Sequence, residues 1–312
     1  MAGKGGVGKT TVGASIAIAA AGEGSDVLLV ELEGHSSLGR MVGFDGLGYD
    51  EVVVDTSALE LAGRIRARQI RPDDALADYL DRAGLGPLTD RLSRTGAMEV
   101  VATAAPGIRD LLALGKIRQL EQARTADLIV VDAPAAGHAM TFLTSAAGLA
   151  GSTSSGPVRH QADLVLEMFA DDRRCQVALV TLPEETPVSE TVETAFALEE
   201  DVGIKLAPVL VNGVWPAIAG LAEAVEAAEA ADKARTAGRR RARRDHGRAS
   251  AVLAGRYRLA RMADQRAEMH RLARELPLPQ VHLPFLFRTG LDLPDLSTLA
   301  EAVSSRSATV VP

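Results

Sequence analysis

Short unbroken apolar runs alternate along this chain with stretches whose apolar positions fall three and four residues apart. Val27-Leu28-Leu29-Val30, Leu128-Ile129-Val130-Val131, Val177-Ala178-Leu179-Val180 and Val209-Leu210-Val211 are the clear runs. Runs this short and this apolar predict strands buried on both faces, as in a parallel sheet. A last strand, centred on Val281, is hemmed by Pro279 and Pro284 and is predicted to be brief and near an edge. Helical spacing begins at Thr11, with Val12, Ile16, Ala19 and Ala20 as its apolar positions. It recurs at Ala75, Leu76, Tyr79 and Leu80 after Pro72-Asp73-Asp74, and at Ile108, Leu111, Leu112 and Ile117 after Pro106-Gly107. Residues 217–234 predict an exposed Ala/Glu-rich helix. Residues 58–124 and 140–175 read as largely helical insertions, with Val100-Val101 as one more candidate strand and 151–157 as the most loop-like segment. Strands alternating with helices predict an α/β chain, its sheet mostly parallel and covered on both faces.

Composition narrows the function classes. The chain has 312 residues, 47% of them hydrophobic and only 3% aromatic, which suits helices packed on buried strands. Its net charge of −7 argues against a global nucleic-acid or anionic-membrane binder. The run Arg239-Arg240-Arg241-Ala242-Arg243-Arg244 has no interleaved aromatic residue, so a solvated helix is expected there and no nucleic-acid partner. The single cysteine, Cys175, excludes an intrachain disulfide and any multi-thiolate metal site within one chain. It points to a reducing, cytoplasmic setting. No apolar run reaches ~18 residues, so no membrane-spanning helix is predicted.

Gly3-Lys4-Gly5-Gly6-Val7-Gly8-Lys9-Thr10 fits G-x-x-x-x-G-K-[ST]. Glycines let the backbone wrap an anion and aim successive N–H groups at phosphate oxygens, and the helix that follows adds its positive end. Lys9 is expected to neutralise the β- and γ-phosphates of ATP, and the Thr10 hydroxyl to ligate Mg²⁺. Lys4, directly after the first glycine, marks the deviant form K-G-G-x-G-K-[ST], in which this lysine reaches the nucleotide of a partner subunit. Asp132, ending its apolar run, has the Walker B pattern and is expected to help hold Mg²⁺. Glu31 and Glu33, at the end of the run from Val27, are candidates for Mg²⁺-proximal or water-positioning roles, because ligands gather beyond the carboxyl ends of parallel strands. A phosphate loop normally hangs from a central buried strand, yet only Met1 and Ala2 precede Gly3, so the first strand reads as missing and the start as late.

With these residues in hand, the chain resembles the arsenite-pump and tail-anchored-protein-targeting ATPases, relatives of the MinD/ParA group. The loop from Gly3 to Thr11 matches that family throughout. Asp132-Ala133-Pro134-Ala135-Ala136-Gly137-His138, followed by Thr141-Phe142-Leu143, resembles its switch II, D-T-A-P-T-G-H then R-F-L. Ala105-Pro106-Gly107-Ile108 with Asp110 resembles its P-P-G-x-x-E/D helix start, and Val211-Asn212 the strand end whose asparagine reads the adenine ring. The likeness is nearest to the actinobacterial branch. It implies a single P-loop ATPase domain over 1–312 that binds ATP and Mg²⁺. The phosphates would be held by Gly3, Gly5, Gly6, Val7, Gly8, Lys9, Thr10 and Thr11, with Asn212 at the base. It implies a homodimer or paralogous heterodimer with a client or membrane partner that the sequence does not identify. Lys4, Lys9, Glu33 and Asp132 would carry catalysis, with Glu33 standing where the family has Asp in D-P-A. Ala133 and Ala136 remove two switch II hydroxyls, and the family's zinc and metalloid cysteines are absent. A nucleotide-dependent switch with negligible turnover and a MinD/ParA-like positioning ATPase are the alternative readings.

Overall fold

The computed structural model describes residues 1–32, 37–82, 84, 107–134, 136–237, 246–288 and 290–305. Helix α1 (Lys9–Gly22) leads to β1 (Asp26–Leu32), α2 (Ser37–Met41), β2 (Val52–Val53), β3 (Arg64–Ile70) and α3 (Pro72–Arg82). Then come α4 (Ile108–Gln122), β4 (Leu128–Asp132), α5 (Ala136–Ser152), α6 (Pro157–Ala170), β5 (Val180–Thr181) and α7 (Glu185–Ala197), which closes in a π-turn over Leu198–Val202. The chain ends through β6 (Val209–Val214), α8 (Leu221–Ala237), α9 (His246–Glu275), β7 (Gln280–Pro284) and α10 (Leu293–Ser304).

Among the described residues the strands form two sheets, β2-β3-β1-β4 and β5-β6-β7, with every pairing parallel except the short β2 against β3. Between them run Met1 and Ala2. Ala2 donates its N–H to Ala178 O at 2.9 Å and accepts from Val180 N at 2.8 Å. On the other side the Met1 ammonium donates to Val131 O at 2.7 Å, and Met1 O accepts from Ala133 N at 3.3 Å. Two residues thus bond to both flanking edges in the place where a central strand was expected to be missing. Burial drives the Met1 ammonium below its ordinary pKa, against the pull of Asp132.

Side-chain alternation divides the core into two layers. Leu28, Val30, Leu179, Val209 and Val211 face α4–α7 and α9, meeting Leu114, Phe142, Met168, Phe169 and Leu272. Val27, Leu29, Val130, Val180, Leu210 and Val281 face α1 and α10, meeting Val12, Ile18, Leu296 and Leu299. Each layer draws on both sheets, so apolar packing spans the line where few backbone hydrogen bonds cross.

Two expectations need correction. Residues 64–70, inside the stretch read as largely helical, form a central strand. Arginines at 64, 66 and 68 hid its alternation, because they are neutralised in place: Arg64 and Arg66 pair with Asp26 at 2.5 and 3.1 Å, and Arg66 also with Glu51. Arg68 is buried, 4.5 Å from the Tyr49 ring centre. The expected strand over 177–181 is also split. Val177 pairs with Leu206, Leu179 with Ala2, and regular pairing holds only at Val180–Thr181. The expected strand at Val100-Val101, together with Ala105 and Pro106, lies outside the described residues, as does the arginine run 239–244. Val281 lies, as expected, on a strand at the sheet's edge.

Candidate functional site

The loop from Gly3 to Gly8 links the seam between the sheets to α1. Its shape demands glycine at two points. Gly3 has φ +149°, and a Cβ there would lie 2.2 Å from Val180 O; Gly8 has φ +89°, and a Cβ there would lie 2.4 Å from Asn212 Nδ2. Val7 is buried in the α1-side core and pins the loop's middle, while Gly5 and Gly6 are exposed and offer their backbone outward. The helix starts at Lys9, so the loop meets the positive end of a 14-residue helix.

Lys9 folds back over the loop. Its Nζ donates to Gly3 O at 3.2 Å and Lys4 O at 3.3 Å. Burial lowers its pKa, and the charge of Asp132 opposes that shift. Thr10 Oγ1 donates to Asp132 Oδ2 at 2.6 Å, and Thr11, half-buried, accepts through its carbonyl from Ser15 Oγ at 2.9 Å. Asp132 is 4% exposed, and its second oxygen, Oδ1, is buried without a hydrogen-bond partner. Two hard oxygens, a hydroxyl and a carboxylate, therefore meet at the tip of β4 with one carboxylate oxygen uncommitted. That donor set fits Mg²⁺, which takes few protein ligands and keeps several waters.

Glu31 lies opposite Asp132 in the β1–β4 register and is fully buried. Its Oε1 accepts from Leu38 N at 3.0 Å, so it ties the first turn of α2 to the sheet. Glu33, the expected water-positioning residue, lies outside the described residues. His138, in the first turn of α5, is exposed. Asp110, half-buried at the start of α4, has its pKa raised by burial, against the charges of Arg109 and His138.

Asn212, on β6, touches the loop. Its Nδ2 donates to Val7 O at 2.9 Å, bracing the turn beside Gly8. This is a contact the adenine-reading expectation did not contain. Lys4 leans away from the loop, its Nζ 2.6 Å from Glu190 Oε1 on α7. A cavity of about 440 Å³ opens beside it, between Lys4, Gly5, Gly6 and Val7 on one wall and Leu182 and Glu184–Pro187 on the other.

Two features escaped the sequence reading. Glu190 lies 186 residues from Lys4, with no motif to link them. Beyond β6 and β7, Trp215, Tyr257, Phe285 and Phe287 gather with ring centres 4.7–6.1 Å apart. The Arg258 guanidinium lies 5.3 Å from the Trp215 ring centre and 5.1 Å from that of Phe287. Gln265, buried on α9, holds this end by accepting from Trp215 N at 2.9 Å and donating to Gly213 O at 3.0 Å. The available signal was four aromatics in a chain with only ten.

Residues 1–150 match the sequence profile described as anion-transporting ATPase. ATPase BagA of Mycobacterium tuberculosis is 33% identical over 318 residues, covering 97% of this chain and 91% of its own. ATPase GET3B of Arabidopsis thaliana is 24% identical over 262 residues, 69% of this chain and 64% of its own. ATPase ARSA1 of Chlamydomonas reinhardtii is 27% identical over 265 residues, 69% of this chain and 34% of its own. Among the described residues no helix is long and apolar enough to cross a membrane.

Proposed function

The chain belongs to the anion-transporting ATPase family, and on that premise we propose that it binds and hydrolyses Mg-ATP as a dimer, coupling nucleotide state to a partner or transport process. The observation that carries this reading is the convergence of Thr10 and Asp132 at 2.6 Å beside a loop whose Gly3, Gly6 and Gly8 all have positive φ. The loop amides and the start of α1 hold the phosphates. Lys9 exchanges the Gly3 and Lys4 carbonyls for phosphate oxygens. Thr10 and Asp132 would hold Mg²⁺, which neutralises charge on the β- and γ-phosphate oxygens. Lys4, delivered from the partner subunit, stabilises charge building on the γ-phosphate, a contribution of the arginine-finger kind. Glu33 orients water, and Asn212 keeps the loop rigid while facing the base. We place the protein in the cytoplasm, where its single cysteine, Cys175, would stay reduced.

ATP turnover per chain, measured with Mg²⁺ across a wide range of protein concentration, tests this. A rate that climbs with concentration supports dimer-coupled hydrolysis. A flat rate near zero, with tight nucleotide binding, supports a second reading. In it the protein is a nucleotide-dependent switch with negligible turnover, motivated by Glu33, Ala133 and Ala136 in place of the family's acid and hydroxyls. Bound ATP that survives for hours in a single-turnover assay would select the switch.

A further inference from the structure

Lys4 has a partner within its own subunit. Its ammonium lies 2.6 Å from Glu190 Oε1 on α7, and Lys4 itself lines the cavity beside the phosphate loop. The glutamate is firmly mounted. Glu184, at the start of α7, pairs with Arg261 of α9. Arg271, also of α9, donates to Glu185 O at 2.8 Å and to Ser189 Oγ at 3.2 Å. Thr194 Oγ1 donates to the Glu190 carbonyl at 2.6 Å. On the loop side, Lys4 is followed by Gly5 and Gly6, both exposed, so few side-chain contacts there fix the direction of its side chain.

We propose that Glu190 is a positioning residue that holds Lys4 in its own subunit and gives it up when a nucleotide-loaded second copy docks. This rests on the reading that Lys4 acts on the partner's nucleotide. The strength of the pair suits such a role. Both side chains are more than one third exposed, at 36% and 37%, so water and salt screen them. An exposed pair shifts an equilibrium by up to about fivefold. The several negative charges of a bound triphosphate outbid one screened carboxylate, whereas a fully buried pair would resist release. Glu190 thereby keeps the lysine from the subunit's own phosphates and ties its delivery to assembly.

The test compares wild type with Glu190→Gln and Glu190→Asp. Gln keeps the shape and removes the charge; Asp keeps the charge and shortens the reach. Two readouts are taken: dimer fraction by sedimentation velocity with a non-hydrolysable ATP analogue and Mg²⁺, and turnover per chain against protein concentration. Glu190→Gln is expected to lower the concentration for half-maximal dimer and half-maximal turnover by about threefold to fivefold. The plateau rate should stay within about twofold, and Glu190→Asp should fall between Gln and wild type. An unmoved midpoint overturns the proposal, and so does a plateau that collapses, which would place Glu190 in the chemistry instead. Lys4→Ala separates the two levels. If it turns over like wild type, the reading of Lys4 in trans fails and the latch with it. If it is crippled while Glu190→Gln leaves the midpoint alone, only the latch fails. Thermal melts of each variant establish folding, and Glu190→Asp carries the comparison if Gln lowers the melting point.

Discussion

Thr10 Oγ1 donates to Asp132 Oδ2 across 2.6 Å, joining the first turn of α1 to the tip of β4. The bond brings the two side chains together and leaves Asp132 Oδ1 buried and uncommitted. Asp132→Asn keeps the shape and removes the charge. It is expected to lower Mg²⁺-dependent turnover by about 100-fold and to raise the Mg²⁺ concentration for half-activation. Magnesium titrations at saturating ATP check this, and an unchanged midpoint would move the metal elsewhere.

Lys4→Ala should reduce turnover by about 10³-fold, within the range of an arginine finger, while ATP affinity changes by less than about threefold. Phosphate release and nucleotide titration on the same preparation separate the two. Equal losses in both would make Lys4 an ordinary ligand of its own subunit's phosphates.

Asn212→Ala removes the Nδ2 bond to Val7 O and opens space beside Gly8. A lost bond of this kind costs about 1 kcal/mol, so nucleotide affinity should fall about fivefold with little change in turnover at saturation. Calorimetric titration with ADP measures it. If Asn212 chiefly reads the base, the loss will vanish when inorganic triphosphate replaces ADP; if it braces the loop, the loss will persist.

His282, half-buried on β7, has its pKa lowered from 6.5 by burial. Gln280 Nε2 donates to Met269 O at 3.1 Å, which leaves Gln280 Oε1 to accept from His282 Nε2 at 3.0 Å and sets the Nε2–H tautomer of the neutral ring. The unfolded state binds the proton more readily, so stability is fully present above pH 6.5 and is lost as pH falls through the lowered folded value. His282→Gln should flatten that slope just below pH 6.5. Urea melts at several pH values report it, and an unchanged slope would assign the dependence to other groups.

The phosphate loop and the tip of β4 were legible because glycine, lysine and a strand-ending aspartate have few other reasons to stand at those spacings. The buried strands around Leu29, Val130 and Leu210 were legible for the same reason, as runs too apolar to meet water. Strand β3 was not. Its arginines look solvated until Asp26 and Glu51, distant in sequence, are seen to neutralise them. The pairing of Lys4 with Glu190 was equally hidden, because a glutamate on a helix announces nothing about what lies opposite. Asn212 was found through a resemblance, but its bond to Val7 O needed the fold.

The aromatic group beyond β6 and β7 has a practical consequence. Trp215 is the chain's single tryptophan, so emission excited at wavelengths its three tyrosines do not absorb originates at one point, the segment that Gln265 fastens to α9. That segment adjoins Gly213, where a Cβ would lie 3.3 Å from Leu182, a wall of the cavity beside the phosphate loop. The unlabelled protein therefore carries its own reporter at the junction of β6 and α9. A change in its colour or brightness as nucleotide enters is a local signal from that junction, readable in a stopped-flow trace without any added dye.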